Sequence, residues 1–311
     1  MSNAKKIITS GIQPTGVLHL GNYLGAVKNW IDLQEKFDCY YFIVDYHSLT
    51  IPFDPEKKTE QTLEIAKDLV ALGLTKCKLF VQSQVPEVTE LAWIFNTITP
   101  LGELERMTQF KDKSKEHKDN INAGLFTYPI LQAADILIYK GELVPVGEDQ
   151  VQHVELTREI AKKFNKKFGQ TFPETKPYLT KIPRLKSLQD PAKKMSKSLG
   201  PKHYAGIFED EKTIREKFAK AVTTPPGIEN LGLITELLSE GKEKFDANNC
   251  AKAKEKLAEL FLKYFATARA KRKMIPDSEI MDLLKTNADI VRPIAKKSMA
   301  EIRDKIGLVK I

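Results

Sequence analysis

Apolar residues recur along this chain in two rhythms. Short runs at Lys6 to Ser10, Cys39 to Val44, Leu79 to Val81 and Leu143 to Val146 read as strands of a parallel sheet; the second is continuously apolar, as a strand buried on both faces must be. Between them the spacing becomes helical. Leu20, Tyr23, Leu24, Val27, Trp30 and Ile31 mark one face of a helix over 20–37. Leu63, Ala66, Leu69 and Val70 mark another, which starts at Asp54-Pro55-Glu56. A mostly helical stretch over 88–118 leads into a charged connector over 112–122. Thr127-Tyr128-Pro129 is expected to open a further helix, with Pro129 in its first turn, and Gly147-Glu148-Asp149-Gln150 to begin one that ends at Phe168. The segment 173–194 is rich in Pro and Lys and reads as irregular. This alternation of strand and helix predicts an α/β domain built on a doubly wound parallel sheet.

After Tyr204 the strand rhythm disappears. Segments 209–222, 230–240, 251–271 and 277–306 are all helix-like, and Leu257, Leu260, Phe261, Tyr264, Phe265 and Ala268 share one face of the third. Pro225-Pro226-Gly227 reads as a break near the junction. The expected division is a catalytic α/β domain over 1–205, with a helical insertion, and an α-helical domain over 206–311.

Composition adds bounds. A chain of 311 residues has ample length for a real core. It holds no run of about 18 apolar residues, so no membrane span is expected. Met1 to Lys6 lacks the apolar stretch of a secretory signal. Cys39, Cys77 and Cys250 are odd in number and widely spaced, which argues for a reducing, cytoplasmic setting without a disulfide framework, zinc site or iron–sulfur cluster. The net charge of +8, spread evenly over both parts, suits a polyanionic partner, although solubility alone would explain it.

Two stretches carry candidate chemistry. The first is Gln13-Pro14-Thr15-Gly16-Val17-Leu18-His19-Leu20-Gly21-Asn22. Glycines here let a ligand approach the backbone, and the helix that starts at Leu20 presents free N–H groups to an anion. His19 and Asn22 lie three apart at that helix start, so both side chains can point toward one ligand. The glycines form neither a dinucleotide fingerprint nor a P-loop. The second stretch is Lys194-Met195-Ser196-Lys197-Ser198, a polar loop whose lysines can close over phosphates. Either stretch alone would more often be a glycine turn or a solvated basic loop.

Taken together, in this order, the two resemble the HIGH and KMSKS signatures of class I aminoacyl-tRNA synthetases, with Asn22 in place of the second histidine. The blocks GELERMTQFK (102–111), TYPILQAADIL (127–137) and VPVGEDQVQHVELTR (144–158) look like bacterial-type tryptophanyl-tRNA synthetases. The resemblance covers nearly all of residues 7–200 and is weaker but collinear beyond.

It implies a Rossmann-like (HUP) catalytic domain and an anticodon-binding helical domain. It also implies ATP, with Mg2+, and L-tryptophan as substrates, tRNA(Trp) as acceptor, and a homodimer. Catalytic roles fall on His19, Asn22, Lys194 and Lys197. The ATP site would comprise Gln13, Pro14, Thr15, Gly21, Asn22, Gly147, Glu148, Asp149, Leu185 and Lys194 to Ser198, that is Met195, Ser196, Lys197 and Ser198 besides Lys194. Gln109, Lys111 and Lys113 resemble positions that reach the pyrophosphate.

The amino-acid pocket can also be read from the residues. Tyr128, Gln132 and Asp135 share one face of an apolar helix. A buried carboxylate needs a donor, and an indole N–H donates without accepting. Asp135 could therefore select tryptophan over phenylalanine, because its absence of a partner would be costly. The resemblance adds Gln150 near the amino-acid head group and His47 near the side chain; many members have methionine where this chain has Gln132. Arg269, Lys271, Arg272 and Lys273 form a candidate phosphate contact, or a helix end that complements its dipole. Three rivals stand beside this reading: a tyrosyl-tRNA synthetase, a small-molecule nucleotidyltransferase of the same fold, and a non-catalytic RNA-binding protein derived from a synthetase.

Overall fold

The computed structural model describes residues 5–108, 121–147, 150–179 and 184–309. Five parallel strands form one sheet: β1 (Ile7–Ile12), β2 (Asp38–Ile43), β3 (Lys78–Val81), β4 (Leu143–Val146) and β5 (Lys176–Leu179), in the order β3-β2-β1-β4-β5. Ile7 lies opposite Asp38, Tyr40 opposite Lys78, and Leu143 opposite Lys176. The chain thus winds from β1 to one edge, then returns past β1 to build the other. Between β1 and β4 the winding reverses, and ligands of such sheets bind in the crevice beyond the carboxyl ends of the strands there.

Strand side chains alternate between two cores. Cys39, Tyr41, Ile43, Leu79 and Val81 pack on one face, Tyr40, Phe42, Val44 and Phe80 on the other. The first face is covered by α1, which runs over 20–33, and by α2 (Pro55–Ala71). Trp30 of α1 stacks on Tyr41 with ring centroids 4.8 Å apart. α1 is α-helical at Leu20–Asn22, widens to a π-helix at Tyr23–Val27 and resumes as α at Lys28–Leu33. The opposite face is covered by α3 (Glu87–Asn96), the short α4 (Leu101–Glu105), α5 (Ala123–Leu137) and α6 (Val151–Phe168).

Beyond residue 205 come α7 (Glu211–Ala219), α8 (Pro225–Ser239), α9 (Cys250–Tyr264), α10 (Ala266–Met274) and α11 (Asp277–Ile306). Phe218, Phe261 and Phe265 form an aromatic centre continuous with the core under α1. α11 turns back to the sheet. Its Ile280 and Leu284 join the first core, while Ala288, Val291, Ala295, Met299 and Ile302 join the second. It thereby covers the β3 edge, and Asn287 donates to the Leu79 carbonyl at 2.9 Å. A covered edge cannot template another strand.

The structure departs from the sequence reading in several places. β5 falls inside the segment expected to be irregular; it is an edge strand, where Pro177 removes no needed hydrogen bond. α5 starts at Ala123 because Asn122 accepts from the Leu125 N–H at 2.9 Å, so Pro129 sits within the helix rather than in its first turn. Pro225-Pro226-Gly227 opens α8 instead of breaking a helix, with proline at the position that needs no N–H. The expected helix over 251–271 is two, divided at Phe265, whose buried ring lies edge-on to Tyr23 at 5.0 Å.

The basic cluster on α10 also differs from expectation. Arg269 donates to the carbonyls of Ile207 and Glu209, Lys271 to that of Val70, and Arg272 pairs with Asp68 and Glu64 of α2. Lys271 and Arg272 fasten the helical region to α2, Arg269 ties α10 to the segment at 207–209, and these three of the four cations are thus engaged within the protein.

Candidate active site

A cleft of about 970 Å³ opens at the carboxyl ends of β1 and β4. Ser10 to Gln13, Gly21, Asn22 and Trp30 form one wall, and Val144 to Gly147 with Gln150 form the facing one. His47, Tyr128, Gln132 and Asp135 close the inner end, and Leu185, Lys194 and Met195 border the outer side. Of the expected site residues, Gln13, Gly21, Asn22, His47, Tyr128, Gln132, Asp135, Gly147, Gln150, Leu185, Lys194 and Met195 therefore meet in one place. Glu148, Asp149, Gln109, Lys111 and Lys113 lie outside the described residues.

His19 does not line the cleft; it stands just behind it. Its Nδ1 accepts from the Asn22 N–H, and Asn22 Oδ1 accepts from the His19 N–H, both at 3.3 Å. This reciprocal cap explains why asparagine serves in the position of the second histidine: its amide oxygen completes the helix start. Because Nδ1 accepts, the ring proton of neutral His19 is on Nε2. Burial, reinforced by the positive charges of Lys197, Lys194 and Lys217, pushes His19 down to about 3. A Cβ at Gly21 would lie 3.0 Å from the His19 ring and 3.5 Å from Met195, so a side chain there would press on the His19 ring between the two motifs.

The lysine loop is held against the same place. Met195 N–H donates to the Leu185 carbonyl at 3.0 Å, and Ser187 N–H to that of Lys193 at 2.9 Å. Ser196 caps the 3-10 turn Lys197–Leu199 by accepting from the Ser198 N–H. Lys197 turns its ammonium onto the carbonyl of Thr15, next to buried Pro14. Burial lowers Lys197 to about 8, with Asp68 opposing. Lys194 remains exposed at the cleft border.

At the inner end, Asp135 is buried, and burial pushes its carboxyl up against the opposing pull of His47 and Gln82. His47 Nε2 lies 2.8 Å from Oδ2, and Gln82 Nε2 donates to Oδ1 at 2.8 Å and to Oδ2 at 2.9 Å. The Tyr128 hydroxyl is 3.0 Å from His153 Nε2. Gln82 was not marked by the sequence pattern. Its one available signal is position, since it directly follows β3 at the ligand end of the sheet. Trp30, Thr50 and Arg184 also line the cleft without having been singled out as site residues. Among the described residues no group of three or more His, Cys, Asp or Glu side chains could hold a metal ion. Among the described residues no helix is long and apolar enough to cross a membrane.

Residues 1–275 match the family model of class I tRNA synthetases (W and Y). The chain belongs to this family. Its relatives include a tryptophan–tRNA ligase of Caldanaerobacter subterraneus, 42% identical over 98% of this chain and 99% of that one. Another, from Helicobacter pylori, is 40% identical over 98% and 99%. The tryptophanyl-tRNA synthetase of Campylobacter jejuni, solved with ADP and tryptophan, superposes with a TM-score of 0.85 at 35% identity, over 97% of this chain and all of that one. The synthetase fold, a parallel sheet flanked by helices with a helical C-terminal part, is thus shared along the whole chain.

Proposed function

We propose that the protein activates L-tryptophan with ATP and transfers it to tRNA(Trp), acting as a tryptophan–tRNA ligase. One observation carries this reading: a single cleft joins the first motif, the lysine loop and a buried carboxylate at its far end. The kinship with tryptophan–tRNA ligases over nearly the full length supports it.

In the proposed reaction the tryptophan carboxylate attacks the α-phosphorus of ATP. An oxygen–phosphorus bond forms, the bond to the β-phosphate bridge breaks, and pyrophosphate leaves with the electron pair. No protein nucleophile takes part, so catalysis is positioning and neutralisation of charge. His19 serves as a neutral Nε2–H donor and Asn22 as an amide at the phosphates. Lys194 and Lys197 meet the departing pyrophosphate, with Mg2+ carried in on the nucleotide. Gln13, Pro14, Thr15, Gly21, Gly147, Glu148, Asp149, Leu185, Met195, Ser196 and Ser198 contribute to the ATP site. Asp135 accepts the indole N–H, and Tyr128, Gln132 and Gln150 surround the head group, with His47 beside the ring. The 2′-hydroxyl of the terminal adenosine of the tRNA then attacks the aminoacyl carbonyl and releases AMP.

The anticodon falls to the helical part after residue 205. There Lys244, Lys252 and Lys256 line a cavity of about 250 Å³ together with Phe245 and the carboxylates of Glu243 and Asp246. Trp93 of α3 and Leu101 of α4, 71% and 67% exposed, support assembly as a homodimer through that face. The reducing cytoplasm is the proposed setting. Aminoacylation of unfractionated tRNA tests the transfer step: tryptophan should charge only the tRNA with a tryptophan anticodon, and adenylate formation without charging would leave transfer unsupported.

A further inference from the structure

We propose that Gln82 is the positioning residue that makes the indole end of the amino-acid site acceptor-only, and that it thereby sets discrimination between tryptophan and tyrosine. The inference rests on the reading of Asp135 as the indole acceptor. Gln82, 2% exposed, does not line the cleft but stands behind Asp135. Its amide cannot flip without loss, because the Tyr46 N–H donates to Oε1 at 3.1 Å. That bond leaves Nε2 facing Asp135, where it donates to both carboxylate oxygens. His47 adds a third contact through Nε2, which carries its proton when it faces a carboxylate.

The carboxylate has about four lone-pair sites, and these contacts occupy three. One site, on Oδ1, is left to accept. An indole N–H fills it and asks for nothing in return. A phenol hydroxyl can also donate there, but its own lone pairs need donors. The two side chains best placed to supply them, Gln82 and His47, are already committed to Asp135. Burying those lone pairs unmet is costly, and such mismatches separate substrates far more strongly than a missing methylene does. The strand ends impose this commitment: Tyr46 and His47 follow β2, Gln82 follows β3, and the parallel register of the two strands brings them together over α5.

The test uses Gln82→Met, close in volume but without donors, in the full chain. The readout is the ratio of kcat/KM for tryptophan to that for tyrosine in amino-acid-dependent exchange of pyrophosphate into ATP. The expected result is a ratio at least tenfold lower, with the KM for ATP retained. Gln82→Asn, which keeps the amide but is one methylene short of spanning Tyr46 and Asp135, should also lower the ratio, and it serves if the methionine variant fails to fold. An unchanged ratio overturns the proposal even if total activity falls, since a merely structural loss would lower both substrates alike. Wild type without tryptophan-dependent exchange would instead remove the underlying reading of the site.

Discussion

Lys197 donates from its ammonium to the carbonyl oxygen of Thr15, joining the lysine loop to the turn after β1 across 182 positions of the chain. The cation is therefore held at the first motif, the proposed phosphate site. Lys197→Met should lower kcat for adenylate formation by about 10²-fold to 10³-fold, as the loss of one oriented donor does elsewhere, and leave the KM for tryptophan unchanged. Steady-state exchange kinetics check this; an unaltered kcat would separate the loop from the chemistry.

Buried His19 and half-buried Lys197 should shape the pH response of the protein. His19, held down to about 3, stays neutral through the working range, so no acidic limb between pH 5 and 7.5 should belong to it. Lys197, lowered to about 8, loses its proton as the pH rises, so kcat/KM for ATP should fall above pH 8. Lys197→Arg should move that limb upward, because guanidinium keeps its proton. Stability follows the same groups with a definite sign. The contribution of neutral His19 is full above pH 6.5 and is lost as the pH drops from 6.5 toward 3, since the unfolded chain then binds the proton more readily. pH-rate profiles and thermal melts measure the two effects separately.

Tyr23 and Tyr264 couple the helical region to the catalytic helix. Their hydroxyls are 3.1 Å apart, with Tyr23 in the π-helical stretch of α1 that follows Asn22 and Tyr264 at the end of α9. A double-mutant cycle with phenylalanine at each position should give a coupling of about 0.5–1.5 kcal/mol in chemical denaturation, the net worth of a neutral hydrogen bond. A coupling of zero would show that the two hydroxyls act independently.

Much of this architecture was legible in the sequence where local pattern and tertiary environment agree. The run Cys39 to Val44 is apolar on both sides because β2 lies inside the sheet, and its residues fall alternately into the two cores. Tyr128, Gln132 and Asp135 meet in the cleft because the i, i+4, i+7 spacing puts them on one face of α5. What escaped depends on contacts distant in the chain. β5 has little apolar signal of its own and exists because β4 offers it an edge. Arg269 and Arg272 look like surface cations until α2 and the segment at 207–209 are placed beside them. Gln82 has no local pattern at all; its meaning comes from Tyr46 and Asp135, which only the fold brings near.

The central claim is that this cleft activates tryptophan and reads its indole through Asp135. The most direct measurement is amino-acid-dependent exchange of pyrophosphate into ATP, with each of the twenty amino acids, on wild type and on Asp135→Ala. The account predicts exchange with tryptophan far above that with any other amino acid, tyrosine included, in wild type and its loss in the variant, while the variant still binds ATP. Exchange with tyrosine instead of tryptophan, or full tryptophan exchange without the carboxylate, would contradict it.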